Sequence, residues 1–190
     1  MGNANRIAYK IFLFICIAFS FLCTSGCDQE ARSLRKKLAK FEQTSISLSP
    51  NLLKIQSGKV SLYSASECAS FVLIQLIGPM ECTECRVANL KRYQELFELS
   101  YETGVFDFMI IISPNAENLD DIIHKLIEID GKYPVYVDIN SDFIQHNRIP
   151  EDARFHSFLI DDKHKPIFVG DPISSDKLMS LFMRYIGLAD

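Results

Sequence analysis

The sequence predicts an α/β fold with a mixed central sheet and flanking helices, and three observations support this prediction. Apolar runs typical of buried strands alternate with stretches whose apolar residues recur every three or four positions, as in amphipathic helices. Two more apolar runs near the C-terminus are separated by a short polar turn, which predicts an antiparallel pair. Because 48% of the 190 residues are apolar, the chain can form a core, and this composition excludes a disordered or fibrous protein.

The predicted strands are short, and turn residues separate them. The first two flank Ser57-Gly58, a dipeptide suited to a hairpin turn, and they are Leu52–Gln56 and Lys59–Tyr63. Three apolar runs then alternate with helical stretches, and they are Phe71–Ile77, Phe106–Ile112 and Tyr133–Asp138. The closing hairpin consists of His156–Asp161 and Pro166–Gly170, and the proline at its second strand predicts a sheet edge.

Helices are predicted where the apolar residues form a stripe. A single long helix is expected before Gly104, with the stripe Val87, Leu90, Tyr93, Phe97 and Tyr101. A second helix, expected to end at Gly131, has the stripe Leu119, Ile122, Ile123 and Leu126. The last helix, capped by Ser174 or Ser175, has the stripe Leu178, Leu181, Phe182, Tyr185 and Ile186.

The first residues have the pattern of an export signal. Arg6 and Lys10 precede about a dozen apolar residues, which is shorter than the ~20 residues that a membrane-spanning helix needs. Gly26 and Cys27 follow, and this segment resembles the lipobox of bacterial lipoproteins. The resemblance implies cleavage before Cys27 and a lipid anchor on that residue. An ordinary secretory signal and an uncleaved anchor are the alternatives, and all three place the rest of the chain outside the cytoplasm.

This interpretation divides the chain into three parts. Residues 1–26 are a signal peptide, residues 27–50 carry the lipidated Cys27 and a helical stalk or linker, and residues 51–190 form the folded domain. The stalk is rich in lysine and arginine, so contact with anionic lipid headgroups is the alternative to a solvated spacer. The net charge of −4 argues against a nucleic-acid partner.

The motif with the clearest chemistry is Cys82-Thr83-Glu84-Cys85, which follows a buried strand and opens a helix. Unpaired N–H groups at a helix start carry partial positive charge, and this charge stabilises a thiolate on the first cysteine. We therefore expect Cys82 to be the exposed sulfur that attacks a disulfide, and Cys85, one turn inward, to resolve the mixed disulfide. Glu81 and Glu84 oppose the thiolate and Arg86 favours it, which predicts a reductant or a slow exchanger.

The order of strands and helices around this motif resembles the thioredoxin fold over roughly residues 59–188. The segment Phe158-Leu159-Ile160-Asp161, with its polar turn and following strand, is similar to that of membrane-anchored thioredoxin-like proteins of bacterial envelopes. The resemblance implies a three-layer sandwich and thiol-disulfide exchange with a protein or small thiol/disulfide substrate. It also implies no cofactor and a location in the bacterial cell envelope. No bound metal is expected, because a zinc site needs two more ligands at suitable spacing and the sequence has no second CxxC or H-x₃₋₅-H pattern.

Two family positions differ in this chain. Glu81 occupies the place of the tryptophan before the first cysteine, and Phe155 occupies the place of the cis-proline that faces the motif. By this correspondence Phe155 and His156 are the candidate substrate-binding residues. His156 is either a proton-transfer group near Cys82 or a hydrogen-bonded strand residue. The alternative function is a catalytically inert lipoprotein that binds a partner and uses the 82–85 disulfide as a structural bond.

Overall fold

The computed structural model describes residues 29–48, 51–63, 69–79 and 81–189. The predicted signal peptide and Cys27 lie outside these residues. The chain divides into two compact units, Met1–Lys40 and Phe41–Asp190. In the first unit, the described residues belong to helix α1, which covers residues 29–41 and ends at the start of the second unit. No helix among the described residues is both long and apolar enough to cross a bilayer.

The second unit contains a seven-stranded mixed sheet, and its strands are β1 (Leu53–Gln56), β2 (Lys59–Leu62), β3 (Phe71–Ile77), β4 (Phe106–Ile112), β5 (Val135–Val137), β6 (Ser157–Ile160) and β7 (Pro166–Val169). The strand order is β2-β1-β5-β4-β3-β6-β7. Strands β3, β4 and β5 run parallel, and every other pairing is antiparallel. The predicted mixed sheet is therefore confirmed, and Pro166 lies on an edge strand as predicted.

Five further helices flank this sheet, and they are α2 (Thr83–Ala88), α3 (Gln94–Thr103), α4 (Leu119–Ile129), α5 (Asp142–Asn147) and α6 (Asp176–Tyr185). Short 3₁₀ turns precede α3, α4, β6 and α6, and they are Leu90–Tyr93, Ala116–Asn118, Ala153–Phe155 and Pro172–Ser174. Ser175 caps α6 by accepting a hydrogen bond from the Leu178 N–H, as the sequence predicts.

The sheet has a buried core on each face. Leu73 and Ile77 of β3 belong to the larger core, together with Val87 of α2 and Phe182 of α6. On the opposite face, Phe158 packs edge-on against Phe41, with ring centroids 5.1 Å apart. Segment 41–48 is tied to α5 on this side, because the Asn147 amide donates to the Ser47 carbonyl and accepts from its N–H. The chain therefore has the predicted three layers.

The single long helix predicted before Gly104 is instead two helices joined by a 3₁₀ turn. The buried or half-buried positions Val87, Leu90, Tyr93 and Leu96 recur every three residues, which is the period of a 3₁₀ helix. This change of period rotates the following helix, so Tyr101 is 64% exposed and its predicted place in the buried stripe is wrong. Gly104 ends α3 in the left-handed conformation with φ 62°, as predicted.

Two other helix details differ from the prediction. Helix α4 ends at Ile129, and its left-handed cap is Asp130 rather than Gly131. Phe182 of α6 and Ile186 at its C-cap are buried, whereas Leu181 and Tyr185 are 39% and 44% exposed. The first hairpin turn follows the prediction, because Ser57 and Gly58 both have positive φ, as a tight two-residue hairpin requires.

Candidate functional site

The cysteine pair lies at the start of α2, a few residues after the end of β3. Cys82 is the N-cap residue of α2, and Cys85 lies inside the helix one turn later. The two residues form a disulfide, with their Cα atoms 5.3 Å apart. The Arg86 N–H donates to the Cys82 carbonyl at 3.0 Å, which fixes the first turn of the helix around the pair. The predicted position at a helix start is therefore present.

Both cysteines of the pair are exposed to solvent, whereas Thr83 between them is buried. Cys82 is exposed as a nucleophile must be, because an attacking sulfur needs access to its substrate. Cys85 is exposed as well, although we expected it to lie further inward. Accessibility therefore does not distinguish the two sulfurs, and their difference lies in their distance from the helix N-terminus.

Glu81, directly before the pair, is held by three groups. Its Oε1 accepts from the Gly78 N–H at 3.2 Å and lies 2.9 Å from His156 Nδ1. Its Oε2 lies 3.3 Å from Arg86 Nε. Burial raises the pKa of Glu81, but the hydrogen bonds from His156 and Gly78 and the charges of Arg86 and His156 outweigh burial and leave the pKa below 4.5.

His156 lies against the loop that leads into α2. Its carbonyl accepts from the Leu76 N–H at 2.6 Å, which attaches the residue to the end of β3 just before β6 begins. The ring makes a second contact, from Nε2 to the Pro150 carbonyl at 3.2 Å. The ring is also close to Gly78, where an added Cβ would lie 3.2 Å from Cε1. The hydrogen-bonded role of His156 considered from the sequence is therefore present.

Phe155 is a core residue. Its ring is 1% exposed and meets Phe41 edge-on, with centroids 5.7 Å apart. It ends a 3₁₀ turn in which the Arg154 N–H donates to the Asp152 side chain, and no cis peptide bond occurs among the described residues. A contact between Phe155 and a substrate would therefore involve its backbone, and the substrate-binding role stays a prediction.

A second polar cluster lies beside α2, on the sheet face that carries the larger core. Arg92 pairs with Asp171 at 3.1 Å, and its guanidinium lies 5.1 Å from the centre of the Tyr93 ring. Burial raises the pKa of Asp171, although Arg92 opposes this effect. Burial and the Asp171 charge also raise the pKa of Tyr93. Tyr93 is therefore neutral at physiological pH.

Three buried polar atoms on this face have no hydrogen-bond partner among the described residues, and they are Gln75 Oε1, Tyr93 Oη and Ser157 Oγ. Arg86 Nε has the ion-pair contact with Glu81 but no hydrogen bond. Gln75 and Ser157 are cross-strand partners in the β3–β6 pairing, so their side chains share one face. Residue 75 of β3 is a glutamine, so no carboxylate stands at this place in the strand. The structure therefore supplies no acid below the pair from β3 to serve as a general base for Cys85.

Changing Glu81 to glutamine is expected to lower the free energy of unfolding at pH 7 by about 1 to 2 kcal/mol, because a charge-assisted hydrogen bond is lost. The folded pKa of Glu81 is depressed, so its contribution is present above the unfolded value of 4.5 and is lost as the pH falls through the folded pKa. Urea unfolding at pH 7 and pH 3 measures this difference.

The control for this prediction is Glu102→Gln, which makes the same chemical change at an exposed position of α3. The stability difference between wild type and Glu81→Gln should shrink at acidic pH, while that of the control should stay constant. An equal difference at both pH values would show that the Glu81 carboxylate is not held as described.

Comparisons with known proteins place this geometry in a fold class. No protein-family model matches the sequence, and no curated protein matches it. Among solved structures, the exposed lipoprotein thioredoxin of Streptococcus pneumoniae aligns with a TM-score of 0.50 at 14% identity, over 70% of this chain and 97% of the other. The fold is thioredoxin-like.

Two further solved structures of this class are similar to the chain. An uncharacterized thioredoxin-like protein from Porphyromonas gingivalis aligns at 21% identity with a TM-score of 0.45, over 77% of this chain and 94% of the other. A protein from Chlorobium tepidum described as a putative thiol:disulfide interchange protein DsbE aligns at 13% identity with a TM-score of 0.48, over 76% and 99%.

The thioredoxin-like chain contains one arrangement that sequence reasoning missed. We treated Glu81 as a charge opposing the Cys82 thiolate, whereas the structure pairs it with His156 and Arg86. A signal for this pairing exists in the strand register, because antiparallel pairing of β3 with β6 puts residue 156 beside residue 76, next to the motif loop. Finding that register requires knowing which strands are neighbours.

Proposed function

We propose that this protein is a lipid-anchored thioredoxin-like protein of the bacterial cell envelope that exchanges disulfides through Cys82 and Cys85. One observation carries the proposal: an exposed disulfide at the N-terminus of a helix that follows a buried strand. Exposed cysteines at a helix start favour both access and thiolate formation, which are the two requirements of exchange.

The exchange starts from the reduced pair. The Cys82 thiolate attacks one sulfur of a substrate disulfide, an S–S bond forms between them, and the other substrate sulfur leaves as a thiolate that takes a proton from water. The Cys85 thiolate then attacks the Cys82 sulfur, which releases the second substrate thiolate and closes the 82–85 disulfide. Two electrons have passed to the substrate, and an external thiol must restore them. The oxidised pair runs the same steps in reverse with a dithiol substrate.

The second candidate function is an inert lipoprotein with a structural 82–85 disulfide. The buried Phe155 ring favours this candidate, because it leaves no side chain at the family's proline position for a substrate. The size of the disulfide loop argues against it. Closing a loop of about four residues contributes only about 2 kcal/mol by the chain-entropy relation, and this bond joins two residues of one helix turn rather than two elements.

The lipid anchor is supported by the lipobox-like segment that ends at Cys27. The Streptococcus pneumoniae structure of similar fold is itself described as an exposed lipoprotein. Multiple acyl chains on Cys27 would hold the protein at the membrane, since a single chain binds only marginally. Cys27→Ser should move the protein from the membrane fraction to the soluble fraction. A Cys27→Ser variant that stays in the membrane fraction would contradict the anchor.

The exchange activity is tested by the reduction of a disulfide-linked fluorescent peptide with dithiothreitol as the electron source. We expect wild type to accelerate the reaction above dithiothreitol alone and Cys82→Ser to remain at that background. Cys68→Ser, which removes a thiol outside the pair, is the matched control and should keep the wild-type rate. A wild-type rate equal to the background would leave the inert scaffold as the function.

A further inference from the structure

The side chain of His156 is surrounded by hydrogen-bond acceptors on both of its nitrogens. Nδ1 lies 2.9 Å from Glu81 Oε1, and Nε2 lies 3.2 Å from the Pro150 carbonyl oxygen. A carbonyl oxygen can only accept, and an ionised carboxylate can only accept. Both ring nitrogens must therefore donate, and only the imidazolium form of histidine has two N–H groups.

The surroundings of Glu81 keep its carboxylate ionised. It accepts from the Gly78 N–H and lies against the Arg86 guanidinium, in addition to the contact with His156. Its depressed pKa follows from these partners, which outweigh the effect of burial. Glu81 therefore cannot supply a proton to the Glu81–His156 hydrogen bond, and the proton on Nδ1 belongs to the histidine.

We propose that His156 is a positioning residue for the cysteine pair. As an imidazolium, His156 links the loop before α2 to the segment before β6 and makes the surroundings of Cys82 net positive. This inference rests on the proposed exchange function. One carboxylate faces two cations, so the group formed by Glu81, Arg86 and His156 has one positive charge in excess. That excess favours a thiolate on the neighbouring Cys82 and offsets the acidic residues of the motif.

Two ion pairs and the exposed Glu151, which follows Pro150, are the other charged groups near this link. Arg154, on the same segment as His156, forms an ion pair with Asp152 at 2.8 Å. Glu84 of α2 lies 3.9 Å from Lys125 of α4. Gly78 of the motif loop also lies close to the ring, since a Cβ added there would be 3.2 Å from Cε1, and it carries no charge. Glu81 and Arg86 are therefore the charged groups that govern His156.

The protonation state is tested by ¹⁵N NMR of the full chain at pH 7. We expect both ring nitrogens of His156 to show the chemical shifts of protonated nitrogens. In Glu81→Gln, where the carboxylate is replaced by a neutral amide, the ring should become neutral. A neutral His156 ring in wild type, with one nitrogen at the shift of an unprotonated acceptor, would overturn the proposal.

The effect on Cys82 is tested by its alkylation rate with iodoacetamide in the reduced chain, followed at that residue by mass spectrometry. His156→Gln should react about two- to fivefold more slowly at pH 7, the size of effect that the loss of one unit charge near the protein surface produces. The matched control is His124→Gln, an exposed histidine of α4, which should react at the wild-type rate.

Equal rates in wild type and His156→Gln would overturn the positioning role, because a merely structural histidine would leave the thiolate unaffected. If His156→Gln does not fold, His156→Asn serves in its place, since it removes the same positive charge with a shorter amide side chain. Alkylation and NMR need no turnover. The proposed exchange function can therefore fail in the peptide assay while this inference holds. Conversely, this inference can fail in the alkylation and NMR experiments while the peptide assay shows exchange.

Discussion

Replacing Cys85 with alanine is expected to convert the protein into a trap that forms mixed disulfides through Cys82 and does not release them. The first step needs only the Cys82 thiolate, whereas release needs the second sulfur one helix turn away. Turnover in the peptide assay should fall to the background, and mixed disulfides should accumulate in cells. Non-reducing electrophoresis followed by mass spectrometry measures both the amount of trapped partner and the attachment residue.

The control for this prediction is Cys82→Ala, which leaves Cys85 as the remaining sulfur of the pair. Because Cys85 is also exposed, access alone would let it trap substrates equally well. The position of Cys82 at the helix N-cap predicts that it is the better nucleophile, so Cys82→Ala should trap far less. Equal trapping by the two variants would show that the helix start does not decide the roles.

Phe155→Ala is expected to lower the free energy of unfolding by about 3 to 5 kcal/mol, as large aromatic truncations in a core do. The Phe155 ring is 1% exposed and packs against Phe41, so its removal leaves a cavity on the sheet face opposite the larger core. The same change should loosen the segment that carries His156. Urea unfolding followed by circular dichroism measures the loss of stability.

Tyr101→Ala is the matched control, because it removes an aromatic ring from a position that is 64% exposed. Its effect should stay within about 0.5 kcal/mol, as is usual for surface substitutions. A loss of less than about 1 kcal/mol in Phe155→Ala would mean that the ring is not in the core. The residue would then be free to contact a substrate.

The sequence predicts the architecture well because strand and helix signals here are local. The run Phe71–Ile77 is apolar at all positions but one, and such a run forms a strand buried on both faces. The polar turn before Pro166 brings the last two strands together, and the structure pairs them antiparallel. These signals depend on neighbours along the chain, so they can be found without knowing the fold.

The parts that could not be predicted depend on distant residues. The position of Tyr101 depends on a 3₁₀ turn that brings Tyr93 into the core, and stripe spacing alone does not reveal that turn. The Glu81–His156 contact joins residues 75 positions apart. From the sequence, Glu81 was only a negative charge beside a cysteine, because its partners come from strand register and loop packing.

The central claim is that the Cys82–Cys85 disulfide is an exchange site and not a structural bond, and the reduction potential of the pair tests it most directly. The potential is obtained by equilibrating the full chain with dithiothreitol mixtures of known ratio and counting the free thiols of the pair. Exposure and the helix start predict a value above about −300 mV, among the exchange proteins at roughly −270 to −120 mV. A value below about −300 mV would contradict the account and identify the pair as a structural disulfide.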